Sequence, residues 1–327
     1  MQTGDASLHE AGRDAFERMA EIGRGDAGAL TLRLRDGVTG LRLRALAAMA
    51  VHAAAAAPER MIEIYDSAAA GWLGAKAPPP RPRTLDPLPI SRGCWRTLWS
   101  IANPPAGVGR QRYAERMMEL AGELDPAINP RMAAAALEFP GVAETAAGGT
   151  SPPPDFEWLS QFPPASLGYA LSQDIMSARS PVSDPYWTMV LPYLRHMPSP
   201  LNHINVHVIQ SMSLWGLVAG YSTRTLDRVA LGSFLMGQVG HHYSALATAV
   251  TLTNLAVTRP DNLEVILDCL FKGWTHGRET PPLVQVSWQP LWPLRVDQVR
   301  ETLRIKAFDS PYARGGQPAK GWTPRVV

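Results

Sequence analysis

The chain has 327 residues, enough for one large domain or two ordinary ones, and 46% of them are hydrophobic while only 18% are charged. This composition excludes an intrinsically disordered chain, which combines low hydrophobicity with high net charge. The net charge of +2 is too small to indicate nucleic-acid binding. Two cysteines, Cys94 and Cys269, cannot build a disulfide framework or a zinc ribbon, so we expect a soluble, cytoplasmic protein.

The sequence predicts no membrane-spanning segment. Asp5, Glu10 and Arg13 interrupt any apolar core of a secretory signal near the N-terminus. Two stretches, 196–223 and 229–258, lack Asp, Glu, Lys and Arg, yet both carry polar side chains throughout, which favours buried core helices over membrane spans. At most, we expect a peripheral contact with the inner face of a membrane.

Hydrophobic periodicity predicts helices along most of the chain. The first two span 8–24 and 41–74, and six prolines between 77 and 89 then indicate an extended spacer. Further helices are predicted over 94–101, 112–124, 166–179, 205–218, 225–240, 244–257, 263–274 and 297–305. The segment 283–288 is the one plausible β-strand, and from Asp309 the tail has no periodicity.

The predicted class is therefore all-α, a multi-helix bundle with an additional N-terminal helical segment. We expect four parts: an N-terminal helical segment (1–76), a proline-rich linker (77–90), a helical domain (91–308) and a flexible tail (309–327).

Histidines offer the first candidate site. His203 and His207 are four residues apart, which places both imidazoles on one face of a helix, and His241 and His242 follow downstream. Metal binding there would need a third ligand and a nearby carboxylate, but 196–223 contains neither Asp nor Glu. Core or capping histidines are therefore the favoured interpretation.

Four short motifs, in order, carry a resemblance to a known family. They are FPPASLGY at 162–169, GWTHGR at 273–278, VRETLRI at 299–305, and an early Asn103-Pro104. Together they resemble the coenzyme Q (ubiquinone) biosynthesis protein 4 family over roughly residues 95–305. The resemblance implies a helical fold, a role in isoprenoid quinone biosynthesis, and peripheral association with membranes and with other biosynthetic enzymes.

The metal motif of that family, His-Asp-x-x-His followed by a distant Glu, is not preserved. The matching positions here hold Met212, Ser213, Gly216 and Arg228. A thioether suits only soft metal ions, glycine offers no ligand, and a guanidinium carries a permanent positive charge. We therefore expect no metal and no other cofactor.

Two interpretations of the altered site stay open. In the first, Arg228 replaces the metal by holding an anionic head group, and Met212, Ser213, Trp215, Gly216 and Tyr221 line a pocket for a bulky hydrophobe. In the second, Asp227 or a distant carboxylate pairs with Arg228, and the site has closed.

Three functions are compatible with these observations. The first is a metal-independent protein that binds a hydrophobic, prenyl- or quinone-like metabolite in a helical pocket. The second is a diverged enzyme that performs decarboxylation or cyclisation without metal, for which His207, His241 and Asp227 are the candidate catalytic residues. The third is an interaction scaffold that uses the N-terminal helices. Expected partners are a hydrophobic small molecule, other biosynthetic enzymes or a second copy of the chain, but not nucleic acid.

Overall fold

The computed structural model describes residues 3–37, 39–76, 78–79, 85–103, 110–148, 154–176, 194–222, 225–258 and 263–310. Throughout these ranges the regular structure is helical, and the only β-type pairing is an isolated bridge between Ser166 and Arg295. The all-α prediction is confirmed. None of the described helices is long and apolar enough to cross a membrane.

The described α-helices, numbered in chain order, fall into two runs. The first run is α1 (Thr3–Ile22), α2 (Ala27–Asp36), α3 (Gly40–Ala55), α4 (Met61–Leu73), α5 (Arg92–Ala102), α6 (Arg110–Gly122), α7 (Ile128–Ala136), α8 (Val142–Gly148) and α9 (Phe156–Leu159). The second run is α10 (Leu167–Met176), α11 (Leu201–Ala219), α12 (Thr225–Val239), α13 (His242–Thr258), α14 (Leu263–Glu279) and α15 (Val296–Leu303).

One predicted helix, 41–74, is divided in the structure. Helix α3 ends at Ala55, a 3-10 turn follows at Pro58–Arg60, and α4 begins at Met61. Pro58 has no backbone N–H to continue the α3 ladder, so the helix stops although the alanine run before it favours helix. The sequence analysis also missed four short helices, which are α2, α7, α8 and α9.

The predicted strand at 283–288 is wrong. Leu283–Gln285 forms a 3-10 turn, and the side-chain oxygen of Gln238 accepts a hydrogen bond from the Leu283 backbone N–H at 2.9 Å. Pro281 and Pro282 lie directly before this turn and have no N–H to pair in a sheet.

Contacts divide the chain into two compact units. Unit 1 contains the described residues within Met1–Arg131 and His242–Lys272, and unit 2 those within Met132–His241 and Gly273–Gln317. Helix α14 therefore contributes residues to both units. Contacts alone do not define which segments fold independently, so the four-part domain division stays a prediction.

Unit 1 is built on the alanine-rich helix α3. Most of its alanines are fully buried, and their small side chains let α1 and α13 pack closely on it. Phe16 on α1 is 1% exposed, and the ring of His52 on α3 forms a hydrogen bond to the Ala20 carbonyl at 2.8 Å. The end of the proline-rich linker also belongs to this unit, since the Leu88 N–H donates to the Ala56 carbonyl at 2.9 Å. Residues 77 and 80–84 of that linker lie outside the described residues.

In unit 2, glycines bring α12 and α14 into backbone contact. A Cβ added at Gly237 would lie 2.7 Å from the Trp274 carbonyl oxygen and 3.1 Å from the Cα of Gly277. A Cβ at Gly277 would fall inside van der Waals distance of the Phe234 carbonyl oxygen, and one at Gly273 would meet Ala230 in the same way. The two glycines of the GWTHGR motif therefore serve helix packing.

Replacing Gly277 with alanine should destabilise the protein by roughly 1–3 kcal/mol, because the added methyl group meets a backbone that cannot move aside easily. Urea unfolding measures the difference. Gly232 is the matched control, since it lies in α12 with nothing within 4 Å of an added Cβ. There the same substitution should stabilise the protein by about 0.5–1 kcal/mol, because alanine has the higher helix propensity. Equal effects at both positions would contradict the packing argument.

Candidate functional site

Helix α11 presents one stripe of side chains to a cavity in unit 2. His203, His207, Gln210, Ser211 and Leu214 follow one another at helical spacing and line a space of about 550 Å³. The remaining described wall comes from α8, α9 and the segment after α14. It includes Glu144, Trp158, Val284, Gln285, Trp288 and Trp292.

Backbone hydrogen bonds fix the wall that faces α11. The N–H groups of Leu167 and Gly168 donate to the carbonyls of Leu294 and Trp292 at 2.6 and 3.0 Å. Ser166 caps α10, because its side-chain oxygen accepts from the Tyr169 N–H at 3.2 Å. Residues of the FPPASLGY motif thus hold the backbone at Trp292, whose ring lies 6.4 Å from that of Trp288 at an angle of 28°.

Several polar atoms around the cavity have no hydrogen-bond partner among the described residues. They are both ring nitrogens of His203, Nε2 of His207, and Nε1 of Trp288 and Trp215. Trp215 is completely buried, and its ring centroid lies 5.5 Å from that of His207. A buried polar atom without a partner typically costs about 1–3 kcal/mol, so this cluster is the natural place for a ligand that supplies the missing hydrogen bonds.

The two cavity histidines are neutral at physiological pH. Burial, and to a smaller extent the neighbouring His203, lower the pKa of His207 to about 4. Burial also lowers the pKa of His203. Their ring centroids are 5.5 Å apart, so two positive charges would repel each other strongly at this depth. Each imidazole therefore has one N–H donor and one bare acceptor nitrogen.

The three residues on α11 that match the family's metal motif, Met212, Ser213 and Gly216, lie on other faces of this helix. Met212 and Ser213 are 3% and 9% exposed and are not among the residues that line this cavity. Beside Gly216, a Cβ would lie 3.4 Å from a methyl group of Leu231, so that side chain already covers the glycine. Trp215, another predicted ligand-binding residue on α11, contacts the cavity-lining His207, with ring centroids 5.5 Å apart.

Asp227, a candidate catalytic residue, has a structural environment. It is 3% exposed, and one carboxylate oxygen accepts hydrogen bonds from the N–H and the hydroxyl of Ser222. The other accepts from the Ser310 hydroxyl at 2.7 Å. Its carboxylate thereby joins the start of α12 to the beginning of the predicted tail, whose residues 311–327 lie outside the described ranges. Arg228 is half-buried on α12 and does not line the cavity.

Tyr221 and His241 also lie away from the cavity lining. The Tyr221 hydroxyl is 2.8 Å from Nδ1 of His276, whose Nε2 is 2.8 Å from the Lys306 carbonyl. The Tyr221 ring stacks on Phe308 at 4.5 Å. His241 is 3% exposed at the junction of α12 and α13. Of the nine predicted site residues, His207 is the one that lines the described cavity.

The sequence analysis missed the aromatic wall. Trp288 and Trp292 are four residues apart in a segment without clear periodicity, and both are buried, at 8% and 4% exposure. Clustered tryptophans after a proline-rich turn were the available signal. In the part of the chain that the structure describes, no group of three or more His, Cys, Asp or Glu side chains is placed to hold a metal ion.

Comparison with known proteins gives little beyond this geometry. No protein-family model and no curated protein matches the chain significantly. Among solved structures, it is similar to a Nostoc punctiforme protein that is provisionally named a ubiquinone biosynthesis protein. The identity is 17%, the match covers 66% of this chain and 98% of that one, and the TM-score is 0.48. A likeness this distant supports no conclusion about function.

The low pKa of His207 makes stability depend on pH. An unfolded histidine binds a proton near pH 6.5, whereas folded His207 does so only near pH 4. The free energy of unfolding is therefore insensitive to this histidine above about pH 6.5 and decreases as the pH falls toward 4. Between pH 7 and pH 5, His207 lowers the free energy of unfolding by about 2 kcal/mol. His207→Phe should reduce the pH dependence of the free energy of unfolding, measured with urea at pH 7, 6 and 5.

A second buried histidine provides a parallel test of the same pH dependence. His242 in unit 1 also has a pKa lowered to about 4 by burial, although a hydrogen bond to the Ala54 carbonyl opposes the shift. His242→Phe should reduce the same slope, and the two reductions should add. An unchanged slope in His207→Phe would show that this imidazole is not buried as described.

Proposed function

We propose that unit 2 binds a hydrophobic, ring-containing metabolite of the quinone or prenylated-aromatic class in the cavity beside α11, without a metal ion. The observation that carries the proposal is a single cavity that combines aromatic walls with buried, unpartnered polar atoms. Such a combination is typical of small-molecule sites, where apolar walls supply affinity and a few polar groups fix orientation.

Size and lining support this ligand class. A volume of about 550 Å³ lies within the usual range for small-molecule pockets and accommodates one or two fused rings with a short substituent. Trp288 and Trp292 offer flat surfaces for ring stacking, and Leu214 and Val284 add apolar contact.

The sequence resemblance points in the same direction. Its three best motifs, FPPASLGY, GWTHGR and VRETLRI, all fall in unit 2. The first fixes the cavity wall at Trp292, as described above. In the third, the Arg300 guanidinium donates to the Val218 and Leu217 carbonyls at 2.7 and 2.9 Å, which caps α11. These contacts support the idea that the motifs maintain a pocket rather than a metal centre.

The electrostatics favour binding over acid–base catalysis. An efficient general base at neutral pH has a pKa near 7, and His207, with a pKa of about 4, is a weak base there. The diverged-enzyme alternative rests on His207 because it lines the cavity, and catalysis would then depend on orienting a flexible substrate. We therefore favour, over the enzyme alternative, a protein that carries the ligand or delivers it to other biosynthetic enzymes. Arg228 does not line this cavity, so the hypothesis that it holds an anionic head group is a separate proposal.

Equilibrium dialysis against 2-methyl-1,4-naphthoquinone tests the binding proposal. We expect saturable binding of about one equivalent. Gln210→Trp should weaken it at least about tenfold, because Gln210 is half-buried and its replacement fills the cavity. Glu301→Trp is the matched control, since Glu301 is exposed on α15 of the same unit, and it should bind as the wild type does. No saturable binding, or equal loss in both variants, would contradict the proposal.

The metal-independent part of the proposal has its own measurement. Elemental mass spectrometry of the purified, tag-free protein should find no stoichiometric zinc, magnesium, manganese or iron, because the positions of the family's ligands hold Met212, Ser213, Gly216 and Arg228. Near-stoichiometric metal would overturn it and would make His203 and His207 the first ligands to replace.

A further inference from the structure

We infer that the cavity beside α11 selects a ligand that carries a neutral hydrogen-bond acceptor, such as a ketone or quinone carbonyl, over a carboxylate of the same shape. This inference rests on the proposed binding function and deepens it. It also differs from the expectation that an arginine in this protein holds an anionic head group in the pocket.

The direction of hydrogen bonding comes from the tryptophans. An indole has one N–H donor and no acceptor, so only an acceptor atom can satisfy it. Nε1 of Trp288 has almost no accessible surface and no partner among the described residues, while Trp288 lines the cavity, so a ligand carbonyl would meet this N–H after a small rotation of the ring. Nε1 of Trp215, behind His207, is in the same condition.

The histidine pair is compatible with the same ligand. A neutral imidazole presents one N–H, so His203 and His207 can each donate to an acceptor oxygen. His203 is 4% exposed with both ring nitrogens unpartnered, and one N–H of the pair turned toward the cavity would complete a second hydrogen bond to a carbonyl. Because burial keeps both rings neutral, neither supplies a positive charge for an anion.

Charge then separates a carbonyl from a carboxylate. None of the described residues that line the cavity is Lys or Arg, and Glu144 is the one with a carboxylate. A carboxylate entering this space would lose hydration without gaining a counter-charge, and Glu144 would repel it. A ketone meets neither penalty and still accepts the hydrogen bonds, so the neutral acceptor is preferred.

Three naphthalenes of nearly equal shape test the inference by equilibrium dialysis at pH 7. They are 2-acetylnaphthalene, which carries a neutral acceptor, 2-isopropenylnaphthalene, which carries none, and 2-naphthoate, which is anionic. We expect the ketone to bind roughly 3- to 10-fold more tightly than the alkene, the effect of one buried hydrogen bond. We expect the naphthoate to bind at least about tenfold more weakly than the ketone.

A conservative variant assigns the donor. Trp288→Phe keeps an aromatic ring but removes the N–H, so the ketone should lose its roughly 3- to 10-fold advantage while alkene binding stays within about twofold. Trp99→Phe is the matched control, because Trp99 lies in unit 1, where its N–H donates to Glu17 at 2.8 Å. It should leave all three affinities unchanged. Circular dichroism confirms folding, and the wild-type ranking stands as a test even if the variant fails to fold.

The outcomes are distinguishable. If ketone and alkene bind equally, or if naphthoate binds best, the inference is overturned while the binding proposal survives. If a trimethylammonium naphthalene outcompetes the ketone, the tryptophan faces and Glu144 bind cations, and the inference fails in that way. If no naphthalene binds, the proposed function itself fails and the inference falls with it.

Discussion

The burial of an uncharged helix is the constraint on which unit 2 depends. Helix α11 has no Asp, Glu, Lys or Arg along its 19 residues, and most of its faces are covered. Its polar groups must therefore find partners inside the protein or remain without them. At its C-terminal end the partner is Arg300, which caps two carbonyls, and the Phe308 N–H donates to the Ala219 carbonyl at 2.8 Å. In its first half, both ring nitrogens of His203 and Nε2 of His207 have no such partner among the described residues.

This contrast locates the candidate site. A guanidinium can cap the C-terminus of a buried helix because the unpaired carbonyl groups there are fixed in number and direction. Side-chain nitrogens facing a cavity are different, since their partners can come and go with a ligand. The same burial that leaves His203 and His207 unpartnered also keeps them neutral, so their hydrogen-bonding capacity does not bring a charge into the cavity. The site is therefore polar enough to orient a ligand and apolar enough to hold a ring.

The sequence predicts the helices well where periodicity is sustained, as in α11 and α13, because a buried face repeats at helical spacing. It fails at Pro58, where a strong alanine preference conceals a helix break, and at α7 to α9, which are too short for a clear period. The candidate site is harder to predict. Its walls come from positions near 144, 203–214 and 284–292, and nothing local in those segments indicates that they meet. His207 was found because two histidines at i and i+4 on a predicted helix are a local signal, whereas Trp288 and Trp292 have the same spacing in a segment without helical periodicity.

The positions on α11 that the sequence resemblance singles out do not coincide with the stripe of side chains that lines this cavity. The stripe from His203 to Leu214 and the positions Met212 and Gly216 lie on different sides of α11, because a helix turns by about 100° per residue. On the side of Gly216, a Leu231 methyl group lies within van der Waals range of the position that a Cβ would take, and the Asp227 carboxylate accepts hydrogen bonds from two serines. A chain that closes one face of a helix in this way can keep a pocket on the other only if its walls are held independently. Here they are held by the Leu167 and Gly168 hydrogen bonds and by Gln238, none of which involves the altered positions. A covered face beside Gly216 and an open cavity beside His207 can therefore coexist on one helix.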